Sequence, residues 1–314
     1  MKKQITTLFL ILFSLLGYSQ FSSNDQVIYL DSLKRIGNAE NYKFLRIIKD
    51  YHLDKDLYDV TVYYKSGKLE MKGTTSNKDN IKLEGSCEYY FENENRKKIA
   101  NYTNNKLTGK QFEWYNNGKI KSEIEIIRNK KNNTEKTRVI QFWDEDNTNK
   151  VINGEGEYIE TYFGNTVIKG EVKNALKEGK WVGFSQKLKI NFIEYYSEGI
   201  LIEGVSTDSL QVEHKYKEIK INAKPKKGMD LFYNFIGSRM KIPVQSNKVL
   251  RGTVYLSLII DATGKIKKIK ALNKDDFGVS ENAIKTVSKL DEWIPAYFRG
   301  IPIEWEYILP IVLK

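Results

Sequence analysis

Between about residues 58 and 204 apolar and polar positions alternate in short runs rich in Tyr, Phe and Trp, punctuated by Asn, Ser and Gly. A period of two puts alternate side chains on one face of a strand, so the pattern predicts successive β-hairpins. One unit returns three times. Tyr63-Tyr64-Lys65-Ser66-Gly67-Lys68-Leu69 is followed by Trp114-Tyr115-Asn116-Asn117-Gly118-Lys119-Ile120 and by Tyr195-Tyr196-Ser197-Glu198-Gly199-Ile200-Leu201. Glycine in each turn supplies a positive φ that its aliphatic neighbours resist. Gly-led strands recur between these units, at Gly85–Phe91, Gly109–Tyr115 and Gly179–Phe184. A lone hairpin is marginal in water, so the units are expected to add edge to edge into one elongated antiparallel sheet. Residues 125–153, rich in Asn and Lys, interrupt the pattern, and Tyr42–Tyr51 ahead of it reads as a strand from its aromatic and β-branched content.

The pattern changes after Ala223-Lys224. All five prolines (225, 243, 295, 302 and 310) lie beyond that point. Met229 to Met240 sets Leu231, Phe232, Phe235, Ile236 and Met240 at helical spacing, and Ile242-Pro243 stops the helix. Gly252 to Ile260 alternates, with Val254, Leu256, Leu258 and Ile260 on one face, and Asp261-Ala262-Thr263-Gly264 turns the chain into a return strand to Leu272. Val279, Ala283, Ile284, Val287 and Leu290 predict a second helix, and Glu304 to Leu313 a final strand. The predicted class is α+β overall: the hairpin sheet, then two helices on a three-stranded antiparallel sheet. The expected organisation is residues 1–19 as a signal peptide, 20–224 as the repeat region and 225–314 as the small domain.

The signal peptide follows from Met1-Lys2-Lys3, the apolar run Ile5–Leu16 and Gly17-Tyr18-Ser19 as a small-residue cleavage site. A dozen apolar residues fall short of the ~20 needed to span a bilayer, which favours cleavage after Ser19 and a periplasmic or secreted chain. An uncleaved segment is the alternative; it would anchor the chain in an inner membrane, facing the periplasm. No cysteine stands at the junction for lipid attachment.

Composition narrows the chemistry. Of 314 residues, 40% are hydrophobic and 29% charged, which excludes a disordered chain. A single cysteine, Cys87, rules out an internal disulfide, and its place in an alternating strand predicts a buried core position. His52 and His214 stand beside no nucleophile motif and form no metal signature. Asn153-Gly154-Glu155-Gly156-Glu157-Tyr158 lacks phosphate-loop spacing and reads as a turn into a strand. Carboxylate pairs such as Glu123/Glu125 and Glu304/Glu306 share one strand face, as solvated pairs do. No catalytic residue, metal or cofactor is therefore assigned, and an enzyme is not expected. The net charge of +11 would suit nucleic acid, but export argues against it. Anionic lipid head groups or acidic glycans suit it better.

Two family resemblances join these readings. The repeated aromatic-pair and glycine unit over about 58–204 resembles the bacterial MORN-repeat family in its antitoxin-like form. Residues 225–314 resemble the TonB C-terminal domain family. The matching landmarks are Pro225-x-x-Gly228, Ile242-Pro243, Gly252, Ile260-Asp261-x-x-Gly264, the Ala283 helix, Trp293-x-Pro295-Ala296, Gly300-x-Pro302-Ile303 and Leu309-Pro310-Ile311. Ile242 departs from the family, which commonly carries tyrosine before that proline. The resemblance implies β-augmentation, in which an extended peptide of an outer-membrane receptor or other envelope protein adds to a free sheet edge. It places the peptide contact at Ile242, Pro243, Glu304, Trp305, Glu306, Tyr307, Ile308 and Leu309. A proline at Tyr307 is expected to abolish capture without unfolding the repeats. The same edge would also serve a homodimer. Lys265, Lys267, Lys268 and Lys270 are expected to blunt the return strand of the hairpin. Energy transducers of that family need an inner-membrane helix and a proline-rich spacer. This sequence, free of proline from residue 21 to 224, reads instead as a binding module on a β-repeat scaffold, transduction returning only with an uncleaved anchor. A structural or glycan-binding role of the repeat sheet is the further alternative.

Overall fold

A computed structural model describes residues 22–129, 134–162, 165–240, 252–273, 278–290 and 292–313. The expected signal peptide, Ile242 and Pro243 lie outside these residues.

Strands β1 (Gln26–Leu30), β2 (Phe44–Ile48), β3 (Tyr58–Tyr64), β4 (Leu69–Thr75), β5 (Leu83–Tyr90) and β6 (Arg96–Thr103) begin the fold. Then come β7 (Lys106–Trp114), β8 (Ile120–Asn129), β9 (Thr134–Trp143), β10 (Asn149–Ile152), β11 (Glu155–Tyr162) and β12 (Thr166–Lys173). β13 (Leu176–Ser185), β14 (Ile190–Ser197), β15 (Ile200–Thr207) and β16 (Glu213–Tyr216) complete a 16-stranded sheet whose order follows the chain. The supposed interruption at 125–153 is part of it: β8 pairs with β9 from Ser122↔Phe142 to Asn129↔Thr134. Its polar composition reflects exposed positions, while Ile126, Val139, Phe142 and Val151 still face inward.

One turn links many of these hairpins. Asp31, Tyr64, Phe91, Tyr115, Asp144, Asp208 and Asp261 each accept the N–H three residues on and donate their own N–H to the carbonyl four residues on. The fourth residue of each turn has positive φ, and Lys34, Glu94, Asn147 and Gln211 fill it as well as Gly67, Gly118 and Gly264. This is a type I turn closed by a left-handed residue in a bulge. The third sequence unit differs. Glu198 and Gly199, both at positive φ, make a two-residue turn between Ser197 and Ile200.

The second aromatic of the first two units has a defined task. The Tyr64 hydroxyl donates to the Tyr90 carbonyl at 2.8 Å, and the Tyr115 hydroxyl to the Trp143 carbonyl at 2.8 Å. Each tyrosine thus bonds the strand end that precedes a neighbouring turn. Burial pushes both phenols up to about 12.

Compact packing divides the chain into two units. The first comprises the chain to Tyr158 with Glu171–Glu178, the second Ile159–Gly170 with Gly179 onward. In the first, Ile48, Tyr58, Val60, Val62 and Met71 form a buried cluster, and Cys87 is fully buried, as expected. In the second, strands β17 (Lys220–Ile221), β18 (Lys224–Pro225), β19 (Gly252–Ile260), β20 (Ile266–Ala271), β21 (Trp293–Ile294), β22 (Ala296–Phe298), β23 (Ile301–Ile303) and β24 (Trp305–Leu313) follow the sheet. Helices α1 (Met229–Arg239) and α2 (Val279–Val287) lie among them. The molecule is therefore mostly β. The α+β description fits only the small C-terminal part, because the long hairpin sheet contributes strands and no helix.

β17, β22 and β23 form one three-stranded sheet and β18 pairs with β21, while a second three-stranded sheet has the order β20-β19-β24. Val254, Leu256, Leu258 and Ile260 of β19 are all buried, with Leu309 and Ile311 of β24 and Phe232, Ile236, Val279, Ala283 and Val287 of the helices. Burying a large aliphatic or aromatic side chain contributes about 1.5–3 kcal/mol, so this alternation fixes the register of β19. Leu231 departs from its expected inward position and is 60% exposed. Gly264 has φ +85, and a Cβ there would meet the Trp293 carbonyl oxygen at 2.1 Å, so only glycine fits.

Candidate functional site

β24 ends its sheet, and its outer side has no strand partner among the described residues. Which of its peptide groups face outward follows from β19. Tyr255 donates its N–H to Asn273 Oδ1 at 2.8 Å and accepts the Leu272 N–H at 2.8 Å, both away from β24. Tyr255 lies opposite Pro310, which has no N–H to give. Even-numbered residues of β24 therefore turn their peptide groups to the open edge, and odd-numbered ones bond β19. Glu306 and Ile308 offer both N–H and C=O outward, and Pro310 offers C=O alone. Pro310 thus ends the stretch on which a second strand can find donors at every outward position.

Side chains alternate in step. Glu304, Glu306 and Ile308 are exposed, Trp305 and Tyr307 half-buried, and Leu309 fully buried. Glu304 pairs with Lys267 Nζ at 2.9 Å. Lys220 Nζ sits 4.2 Å from the Trp305 ring centroid. The Ser257 hydroxyl donates to Glu306, holding that carboxylate against the sheet. The Tyr307 ring lies 5.2 Å from that of Trp293, and its hydroxyl meets Met229 Sδ at 3.9 Å. Burial, then Tyr233 nearby, raise the Tyr307 phenol above its ordinary range. Tyr307 is thus an inward, packing residue. A proline there would remove a β19 ladder bond as well as disturb the edge, so loss of capture in that variant does not by itself single out the edge. Ile308 is the position that tests the edge alone.

The opposite edge differs in kind. β20 exposes Lys267, Lys268 and Lys270, and a bulge between Ile259 and Ile260 disturbs its pairing. Repeated like charge and a bulge both oppose strand addition.

Sequence reasoning missed a fully buried carboxylate of the second unit. Glu194 of β14 is 0% exposed and accepts from Arg299 Nε, the Tyr196 hydroxyl and the Tyr216 hydroxyl, each at 2.8 Å. Arg299 sits in the turn between β22 and β23, with its guanidinium 4.0 Å from the Phe192 ring centroid. Its N–H donates to the Ile219 carbonyl at 2.7 Å, and its carbonyl accepts the Ser206 hydroxyl at 2.7 Å. Burial first, then Glu194, holds both phenols well above the usual tyrosine range. The cluster ties β14, β15 and β16 to the β22–β23 turn. The one sequence clue was Glu194 on the inward parity of β14, between Phe192 and Tyr196.

The other candidate residues have ordinary partners. His214 Nε2 lies 3.0 Å from Asp208 Oδ2, and His52 packs edge-on to Tyr51. Glu123 pairs with Lys110 and Glu125 with Arg138. Among the described residues no three of His, Cys, Asp or Glu are grouped to hold a metal ion. No helix among them is long and apolar enough to cross a membrane. Comparison with known proteins finds no family model and no curated sequence that matches this chain.

Proposed function

We propose that this is an exported cell-envelope binding protein whose C-terminal sheet captures an extended peptide segment of an envelope protein along β24. The observation that carries the reading is the outward row of Glu306, Ile308 and Pro310 on an edge with no strand partner among the described residues. Main-chain bonds at such an edge supply affinity, and the exposed Glu306 and Ile308 side chains supply selectivity. The order helix, hairpin, helix, strand over 229–313 supports the TonB-like assignment. The hairpin sheet is then the scaffold. Ile308→Pro removes an outward donor and is expected to abolish peptide capture while leaving the thermal midpoint close to wild type. Undiminished capture by a folded Ile308→Pro variant would reject the edge.

A second reading rests on the outer face of β12–β14. Val167, Phe184, Ile193 and Tyr195 are 42%, 44%, 38% and 42% exposed, with Lys180 opposite Tyr195. Exposed aromatic and aliphatic groups in neighbouring strands suit a glycan or protein surface. A Phe184→Ser/Tyr195→Ser variant separates the readings, since it removes this face and leaves β24 intact.

A further inference from the structure

A groove of about 370 Å³ opens beside α1, away from the outward peptide groups of β24. Pro225, Leu231, Phe232, Phe235, Leu290 and Trp293 supply its apolar lining. Its volume is at the small end of ligand pockets, which typically combine apolar walls with a few polar groups.

Three independent features at this groove call for a hydrogen-bond acceptor or a negative charge. Trp293 is 4% exposed, and its indole N–H has no hydrogen-bond partner among the described residues. A buried donor left unpaired is destabilising, and an incoming acceptor would relieve that cost. Gly228, also in the lining, is the N-cap of α1 and has no side chain to cap it. The first amide bonded back into the helix is that of Phe232, to the Gly228 carbonyl, so the N–H groups before it have no carbonyl of the helix to bond. They also present the positive end of the helix dipole. Lys227 and Lys289 add two cations to the lining against one anion, Glu292. Asp230 in the first turn of α1 offsets part of the dipole, but it does not line the groove.

The geometry points to a binding site for a small amphiphilic carboxylate. Its apolar tail lies on Leu231, Phe235 and Leu290, and its carboxylate accepts from the Trp293 indole N–H and meets the α1 N-terminus, Lys227 and Lys289. The site is independent of the β24 edge, and the occupant is a free molecule of the fatty-acid class, since the groove holds a short chain and not a folded partner.

The test is calorimetric titration of the full chain with sodium decanoate below its micelle concentration. Decylammonium and a peptide ending in an apolar residue with a free carboxylate serve as comparisons. Saturable one-to-one binding of decanoate, with none of decylammonium, is expected. Leu231→Asp should abolish it without unfolding the chain, because Leu231 is 60% exposed. Trp293→Phe, which keeps the ring and removes the donor, should weaken binding by roughly fivefold to tenfold. Lys289→Glu should also weaken it, and stands as the second variant if Trp293→Phe does not fold. Equal binding of decanoate and decylammonium, binding unchanged in a folded Leu231→Asp variant, or binding of the peptide alone would overturn the assignment.

Discussion

Four aspartates do the same work at separate turns. Asp31, Asp144, Asp208 and Asp261 each accept, through Oδ1, the N–H four residues on at 2.8–3.1 Å. All four carboxyls are held below the ordinary 3.8: Asp31 chiefly by Arg35, Asp144 by the Thr148 amide, Asp208 by His214 and Asp261 by the Thr263 hydroxyl. A depressed folded pKa means a stabilising contribution that is complete above the unfolded value and is lost as pH falls through the folded one. Carboxyl-detected NMR should find Asp261 titrating below 3.8, and Asp261→Asn should flatten the acid limb of stability. An ordinary pKa at Asp261 would contradict the turn geometry. Glu194 and Arg299 act at the same scale but in the interior. Removing one member of a buried pair leaves the other unpaired, at a cost of about 3–5 kcal/mol. Arg299→Ala should therefore lower the denaturant midpoint sharply, and Arg299→Ala/Glu194→Ala should recover part of the loss. Additive losses would show that the two side chains are not coupled.

At the scale of elements, the strands were legible where alternation was strict. β19 and β24 stand where Gly252–Ile260 and Glu304–Leu313 predicted them, within a residue at the start of β24. The repeated turn was only half legible. A search for glycine finds Gly67, Gly118 and Gly264, yet Lys34, Glu94, Asn147 and Gln211 adopt the same positive φ in the same hydrogen-bonded turn. The bulged hairpin dictates the conformation there, and the residue bears the strain. For the same reason residues 125–153 looked like an interruption: their turn lacks glycine, and the strand pairing runs on through it. The outward and inward parity of β24 was not legible at all, because it depends on which way Tyr255 turns its peptide group. That parity makes a stability prediction. Tyr307→Pro should lower the thermal midpoint well beyond Ile308→Pro, since only the former takes a donor from the β19–β24 ladder. Equal loss in both variants would mean that the assigned parity is wrong.

For the whole molecule, the hairpin sheet and the C-terminal part meet through a fully buried ionic cluster, Glu194 with Arg299, inside one compact unit. No sequence pattern joins two residues 105 positions apart, and only the fold brings them together. A captured peptide would therefore be held on a sheet fixed to the last hairpins of the repeat, which suits a scaffolded binding module. The export reading makes its own prediction: protein recovered from the soluble periplasmic fraction should have an intact mass lacking residues 1–19. A full-length mass in the inner membrane would restore the transducer reading. The central claim, capture along β24, is tested most directly by selecting peptides from an unbiased display library against the full chain. Amide hydrogen exchange of β24 is then measured with and without a selected peptide. The account predicts that the peptide slows exchange at Glu306 and Ile308, where the free protein exchanges fast, and changes little at Tyr307 and Leu309, already bonded to β19. Peptides that bind tightly yet leave the Glu306 and Ile308 amides unprotected would contradict it.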